Sequence, residues 1–509
     1  MFSFDAQAER WGIWECRIQG PRDGNPFTDQ TVRAIFTHRN DQKRVRGFYD
    51  GDGSYVVRFM PQMEGTWSFE IRCSWQQERL TGSFLAGPAA EGNHGPVHVA
   101  GQYHFAYEDG TRYDSIGTTC YVWALQSDEM IAETLETLKH SSFNKIRFCV
   151  FPKHYDYNLH EPREYPYEGH PMDGSVLTKE NFFQYAGKPN DSEWDLTRFR
   201  PSYFRHLEQC IEELGKLGIE ADLILFHPYD RWGFSCMTPA QDEAYLQYVI
   251  ARFAAYRNVW WSLANEYDLL AAKTLVDWER IAAVICREDP YGHLRSIHNC
   301  RGMYDHTRPW VTHCSVQRQD LYKGAELVNE LRARYGKPVV MDEMAYEGNI
   351  QHGWGNITGQ EMVRRFWETA MRGGYPGHGE TILNDTGFLW WSHGGRLYGE
   401  SEPRFAFLLK VLRQVPGTGL RLFPECAWDE VCAIPEGGFG GPASFYLYYY
   451  SFMRPSFREF HIDDTTAYEV TVLDTWNMTE EKRGVFSGKF RVELPARQYM
   501  AVMLKKVQA

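Results

Sequence analysis

Val259-Trp260-Trp261-Ser262-Leu263-Ala264-Asn265-Glu266 is an apolar run that stops on an amide and a carboxylate. It reads as a strand that delivers Asn265 and Glu266 to its C-terminal end. Pro338-Val339-Val340-Met341-Asp342-Glu343 has the same form and ends in a second carboxylate. The two glutamates are 343 − 266 = 77 residues apart, about the length of three βα units.

Working outward, strand-like and helix-like segments alternate after Gly110, the pattern of a parallel sheet with crossover helices. The expected strands are 113–117, 145–150, 220–226, 259–263, 295–298, 311–314, 338–341 and 387–391. Amphipathic stretches at 128–140, 203–217, 242–256 and 275–287 supply helices between them. Eight such units over roughly 300 residues match a TIM (β/α)8 barrel with insertions. The insertion at 152–195, rich in Tyr, Pro, His and Glu, follows strand two and should lie over the C-terminal face.

The flanks read differently. Before residue 99, the runs 32–37, 54–60 and 66–73 alternate between apolar and polar, with turns at Asp50-Gly51-Asp52-Gly53 and Glu64-Gly65. An N-terminal β-sandwich follows, with 86–95 as a linker. Beyond residue 420, short alternating runs at 444–451, 457–461, 468–474 and 488–493 indicate a small C-terminal β-sandwich domain. The expected domains are therefore 1–98, 99–420 and 421–509. Gly437-Gly438-Phe439-Gly440-Gly441 reads as a turn, because no helix follows to make it a phosphate loop.

A chain of 509 residues exceeds what one core supports, which stops growing near about 250–300 residues. Its formal charge of −13 argues against nucleic acid and anionic membrane surfaces as partners. The 17 Trp and 30 Tyr tilt the reading toward carbohydrate, since flat amphipathic rings suit sugar faces. Eleven scattered cysteines without metal-ligand spacing suggest reduced thiols. The N-terminus has no signal-peptide core and no stretch is long and apolar enough to span a bilayer, so a cytoplasmic location is expected. A homo-oligomer is left open.

In a barrel the reactive groups lie at the C-terminal ends of the strands. Glu266 and Glu343 are then placed for glycoside hydrolysis, in which one group protonates the leaving oxygen while another attacks the anomeric carbon. Repulsion between the carboxylates would hold one proton on the pair, and we assign it to Glu266. Asp342 competes with Glu343, and strand alternation alone does not choose between them. His227, Tyr229 and Asp230 after strand three, His298 after strand five and His313 after strand six add polar groups suited to sugar hydroxyls. Two-carboxylate chemistry needs no metal or other cofactor, and neither is expected.

Leu263-Ala264-Asn265-Glu266 and Met341-Asp342-Glu343 resemble the paired motifs of the large clan of retaining barrel glycosidases. The order sandwich, apiosidase-like barrel, small β domain is similar to that of glycosidases from plant-polysaccharide and glycan degraders. This resemblance covers nearly the whole chain and implies that Glu266 is the acid/base and Glu343 the nucleophile. It also implies that Asn265 binds the sugar 2-hydroxyl and that Arg147 keeps the nucleophile ionised. By the same resemblance, the aromatic floor of the sugar subsite falls in Trp390-Trp391, where Trp391 lies nearer the mouth. Trp123, past strand one, is a further wall candidate. In apiosidase itself the strand-four carboxylate is an Asp, where this chain has Glu266.

The function expected is a retaining glycoside hydrolase, exo-acting because the 152–195 loop walls one end. Its partner is a carbohydrate substrate. An endo-acting enzyme of the cellulase or mannanase type and a non-catalytic carbohydrate-binding barrel are the alternatives. Trp11, Trp14, Trp67 and Trp75 would be glycan contacts if the sandwich binds sugar, although burial against the barrel is the commoner use of such a domain.

Overall fold

A computed structural model describes residues 2–507 except 179, 186, 319, 321–322 and 438–440. Most of the Gly-rich turn 437–441 therefore lies outside the described residues.

The centre is a nearly closed parallel sheet of eight strands. In barrel order they are Gly117–Thr119, Lys145–Cys149, Glu220–Phe226, Val259–Ala264, Arg295–Ser296, Cys314–Gln317, Val339–Glu343 and Tyr375–His378. Strand one pairs with both two and eight. Strands five and six meet through a single parallel bridge, His298 to Ser315.

Most of the strands return through a helix, several with ends specified locally, but among the described residues no helix lies between strands five and six. Thr238 caps Pro239–Phe253, accepting from Gln241 N while the Gln241 side chain accepts from Thr238 N, and proline fills the first turn. Thr274 and Asp277 do the same for Leu275–Glu288. The apolar face of Pro201–Lys216, including Phe204, Leu207, Ile211 and Leu214, is buried against the sheet.

Three strand assignments shift. Strand one begins at Gly117 rather than at 113, because Arg112–Tyr113 pairs antiparallel with His104–Tyr107. Strand six begins at Cys314, three residues after the expected 311. Strand eight is Tyr375–His378, while Trp390–His393 in the expected 387–391 region forms a short helix.

The N-terminal region packs a four-stranded sheet against a five-stranded one. The expected strands appear as Val32–His38, Ser54–Phe59 and Gly65–Cys73. Leu80–Gly87 is also a strand, so the first residues of the supposed linker belong to a sheet. Between the sheets, Phe36 and Phe59 stack with centroids 3.9 Å apart, flanked by Trp14, Trp67 and Phe84. Trp11, Trp14 and Trp67 are buried, and Trp75 packs on Tyr55 at 4.4 Å. None of the three buried rings offers a face to a glycan.

A buried charge cluster ties this sandwich to the barrel. Glu208 accepts from Arg252 Nε at 2.7 Å and from Arg58 Nη2 at 3.1 Å, and Arg252 also lies 3.0 Å from Asp50. At the other end, a six-stranded sheet and a two-stranded ribbon enclose a core of Tyr446, Tyr468, Val470 and Leu504. That unit rests on helix Gly359–Met371, where Trp367 stacks on Tyr449 at 5.7 Å.

Candidate active site

Inside the barrel, strand alternation builds layers. The lowest is apolar and includes Phe105, Trp260, Val340 and Tyr375. Above it, Lys145 Nζ bridges Asp222 at 2.8 Å and Asp342 at 2.7 Å, and Ser315 Oγ donates to Asp342 at 2.5 Å. Asp342 is thereby spent on a buried ion pair, which leaves Glu343 as the strand-seven group open to the mouth.

Glu343 is surrounded by donors. Arg147 Nη1 reaches Oε1 at 3.1 Å, His298 Nε2 stands 3.4 Å from the same oxygen, and Gln317 Nε2 donates to Oε2 at 3.3 Å. The Tyr121 hydroxyl also donates to Oε1. Burial opposes ionisation, but His298, then the Arg147 charge and Tyr121, outweigh it and hold Glu343 well below the usual carboxylate range.

Glu266 has the opposite environment. Its backbone turns left-handed at φ 48°, a region sparsely populated by L residues. That turn is pinned by Leu269 N donating to its carbonyl at 2.9 Å. Burial, then repulsion from Glu343, pushes its carboxyl upward, while Tyr229, which donates to Oε2, opposes the shift. Asn265 joins the two acids: Oδ1 accepts from Arg147 at 2.8 Å and from Tyr121 at 3.2 Å, and Nδ2 donates to Glu266 at 3.2 Å.

A family model described as the catalytic domain of apiosidase-like proteins matches residues 100–379, the region that holds both acids. The chain belongs to the apiosidase-like family. Two domains of unknown function flank the match, DUF5060 at 7–74 and DUF5605 at 428–505. Among solved structures, this apiosidase-like chain is similar to a provisionally assigned glycoside hydrolase from Bacteroides vulgatus ATCC 8482. That similarity has 34% identity, a TM-score of 0.90, and coverage of 99% of this chain and 100% of the other. A second structure, described as a glycoside hydrolase, matches with 15% identity and a TM-score of 0.60 over 81% of this chain and 97% of its own. No curated protein sequence matches the chain.

Around the acids of this apiosidase-like site stands a wall of rings. Trp391 lies 5.5 Å from Tyr121, 5.6 Å from Tyr155 and 5.2 Å from Trp354. Its neighbour Trp390 turns away, donating to Thr118 Oγ1 at 2.8 Å. Lys153 lies with its Nζ 3.3 Å from the Tyr121 ring centroid and 4.7 Å from that of Trp391.

Four expected site residues lie elsewhere. His313 precedes strand six, so it sits at the barrel floor, 5.3 Å from Trp260 and 5.6 Å from Phe105. Trp123 is fully buried behind strand two, packed on Phe148 at 5.5 Å, because Phe148 alternates with the inward-facing Arg147. His227 is buried and its hydrogen bond goes to Phe151 O at 3.3 Å. Asp230 holds a turn, accepting from Trp232 N and Ser235 N at 2.7 and 2.6 Å.

The sequence reading missed Tyr121, Lys153 and Gln317. Tyr121 and Gln317 escaped because strands one and six were expected too early, and Lys153 lies in a loop without regular spacing. Glu347, His378 and Glu380 present ligand-type atoms within 4.8 Å of one another. Both carboxylates are already used: Glu380 accepts from Tyr398 N and Gly399 N at 2.7 and 2.8 Å, and Glu347 from Glu400 N and Ser401 N at 2.7 and 3.1 Å. The two carboxylates thus serve to hold the 398–401 turn, and His378 Nδ1 pairs with Thr118 Oγ1 at 3.1 Å.

Proposed function

We propose that the protein is a retaining, exo-acting glycoside hydrolase. Glu343 attacks the anomeric carbon and forms a glycosyl ester as the bond to the leaving oxygen breaks, and Glu266 gives its proton to that oxygen. Glu266 then takes a proton from water, whose oxygen attacks the same carbon and breaks the ester. Two inversions return the original configuration, and Glu266 regains its proton.

The observation that carries this reading is the opposite environment of two acids joined through one amide. Glu343 is held as an anion by cationic and hydroxyl donors, while Glu266 is buried and repelled toward its neutral form. Asn265 stands beside both and suits a sugar 2-hydroxyl, and Trp391 suits a sugar face. The assignment of the Bacteroides vulgatus relative as a glycoside hydrolase supports the reaction class. Exo action is favoured by Tyr155, from the insertion after strand two, which packs on Trp391 and narrows one side of the site.

The test is hydrolysis of a panel of p-nitrophenyl α- and β-glycosides. Glu343→Gln should abolish release from every member. Glu266→Ala should slow poor leaving groups yet spare activated aryl glycosides, because a good leaving group needs no proton. Equal activity of native protein and Glu343→Gln would end the proposal, and binding of oligosaccharide without hydrolysis would assign a binding barrel instead.

A further inference from the structure

Burying an ammonium or guanidinium is costly unless a carboxylate stands beside it. The structure obeys this at Lys145 with Asp222 and Asp342, Arg147 with Glu343, Lys273 with Asp242, and Arg252 with Glu208. Lys153 departs from the pattern. It is 3% exposed, and among the described residues its Nζ has no carboxylate at salt-bridge distance. Aromatic faces meet it instead: Tyr121 at 3.3 Å, Tyr229 at 4.5 Å and Trp391 at 4.7 Å to the ring centroids.

Those rings fix where the charge sits. Tyr121 donates to Glu343 and Tyr229 donates to Glu266, so the ammonium lies between the tethers of the two proposed catalytic acids. Neither acid spends a hydrogen bond on it, since Glu343 is engaged by Arg147, Tyr121 and Gln317, and Glu266 by Tyr229 and Asn265. Cation–π contact returns only part of what burying the ion costs, and Glu266 and Glu343 attract the ammonium without pairing with it. Burial lowers the Lys153 ammonium to about 8, so it stays largely protonated at neutral pH.

We infer that Lys153 selects an anionic sugar, its ammonium pairing with the carboxylate of a uronic acid unit seated between Glu266 and Glu343. This rests on the glycosidase reading above. A carboxylate, with one negative charge, meets less repulsion from the Glu343 anion than a phosphate with up to two.

Two measurements separate this inference from the reading beneath it. Isothermal titration of the Glu343→Gln protein with D-glucuronate, D-galacturonate, D-glucose and D-galactose tests binding without turnover. Hydrolysis of the matching p-nitrophenyl uronides and neutral glycosides tests turnover. The uronates should bind more tightly than their neutral counterparts. Lys153→Met should lower the uronide-to-neutral ratio of kcat/KM by roughly 10- to 100-fold, the worth of a buried charge-assisted hydrogen bond. Lys153→Arg, which keeps the charge, should retain part of the preference and guards against a merely misfolded Met variant.

Absence of uronate binding, or equal losses on uronide and neutral substrates in Lys153→Met, overturns the inference. Hydrolysis confined to neutral glycosides overturns it while leaving the glycosidase reading intact. Lys153-dependent uronate binding without any hydrolysis supports the anion site and removes the enzyme reading.

Discussion

Arg147 Nη1 stands 3.1 Å from Glu343 Oε1 with both side chains almost wholly withdrawn from water. The Arg147 charge is one of the contributions holding that carboxylate below its usual range. In the proposed mechanism turnover needs Glu343 ionised, so activity should fall as pH drops through its folded-state value. Arg147→Met removes a lowering contribution and should move the acid limb of the kcat/KM profile to higher pH. An unmoved limb would show that His298 and Tyr121 suffice.

Tyr229→Phe should act on the other limb. Its hydroxyl favours the ionised form of Glu266, against burial and the repulsion of Glu343. Losing that bond raises the carboxyl further and keeps the proton to higher pH. The alkaline limb should therefore shift upward, readable in the same profile, and a downward shift would contradict the acid role given to Glu266.

Trp391 and Trp123 should separate function from stability. Trp391→Ala should reduce kcat/KM roughly tenfold or more by removing a large flat contact. Trp123→Ala should cost about 3–5 kcal/mol of unfolding free energy while changing kcat/KM little at temperatures where the fold persists. Urea titration and steady-state kinetics on both variants check the pair.

Glu208→Ala should destabilise the chain by about 3–5 kcal/mol, because it takes the shared carboxylate from two buried guanidinium groups and leaves Arg58 with Glu15, at 2.8 Å, and Arg252 with Asp50, at 3.0 Å. Arg58 and Arg252 both lean on this carboxylate at the junction of sandwich and barrel. Thermal unfolding followed by circular dichroism would register the loss, and an unchanged midpoint would mean that Asp50 and Glu15 take over.

The flanking strands were legible from alternation, and the two barrel strands that carry the acids from apolar runs that end in a carboxylate. Strand four and strand seven announce themselves this way, and their tips give Asn265, Glu266 and Glu343. Strand eight, Tyr375-Pro376-Gly377-His378, carries a proline and a glycine where β-branched residues would mark a strand, so Phe388-Leu389-Trp390-Trp391 drew the assignment instead. An offset of three residues at strand six moved His313 from mouth to floor and hid Gln317. Lys153 had no pattern to betray it, since its meaning lies in three rings brought to it from distant segments, Tyr121, Tyr229 and Trp391, and in the lack of a paired carboxylate among the described residues.

The seam of the barrel carries a last consequence. Strands five and six share one backbone bridge and the bond from Thr312 N to Arg295 O at 2.9 Å, and side chains add to the closure: Thr312 Oγ1 with Arg295 N and O at 2.8 and 2.9 Å, and Asn299 Oδ1 accepting from Gln317 N at 3.3 Å. The cylinder is a cask whose last stave is held by pegs. His298 and Gln317 stand on either side of that joint, and both reach Glu343. A single substitution at Thr312 or Asn299 should slacken the grip on Glu343 while the other staves stay tight, which makes this the joint where drift in sequence would retune the site at least cost to the fold.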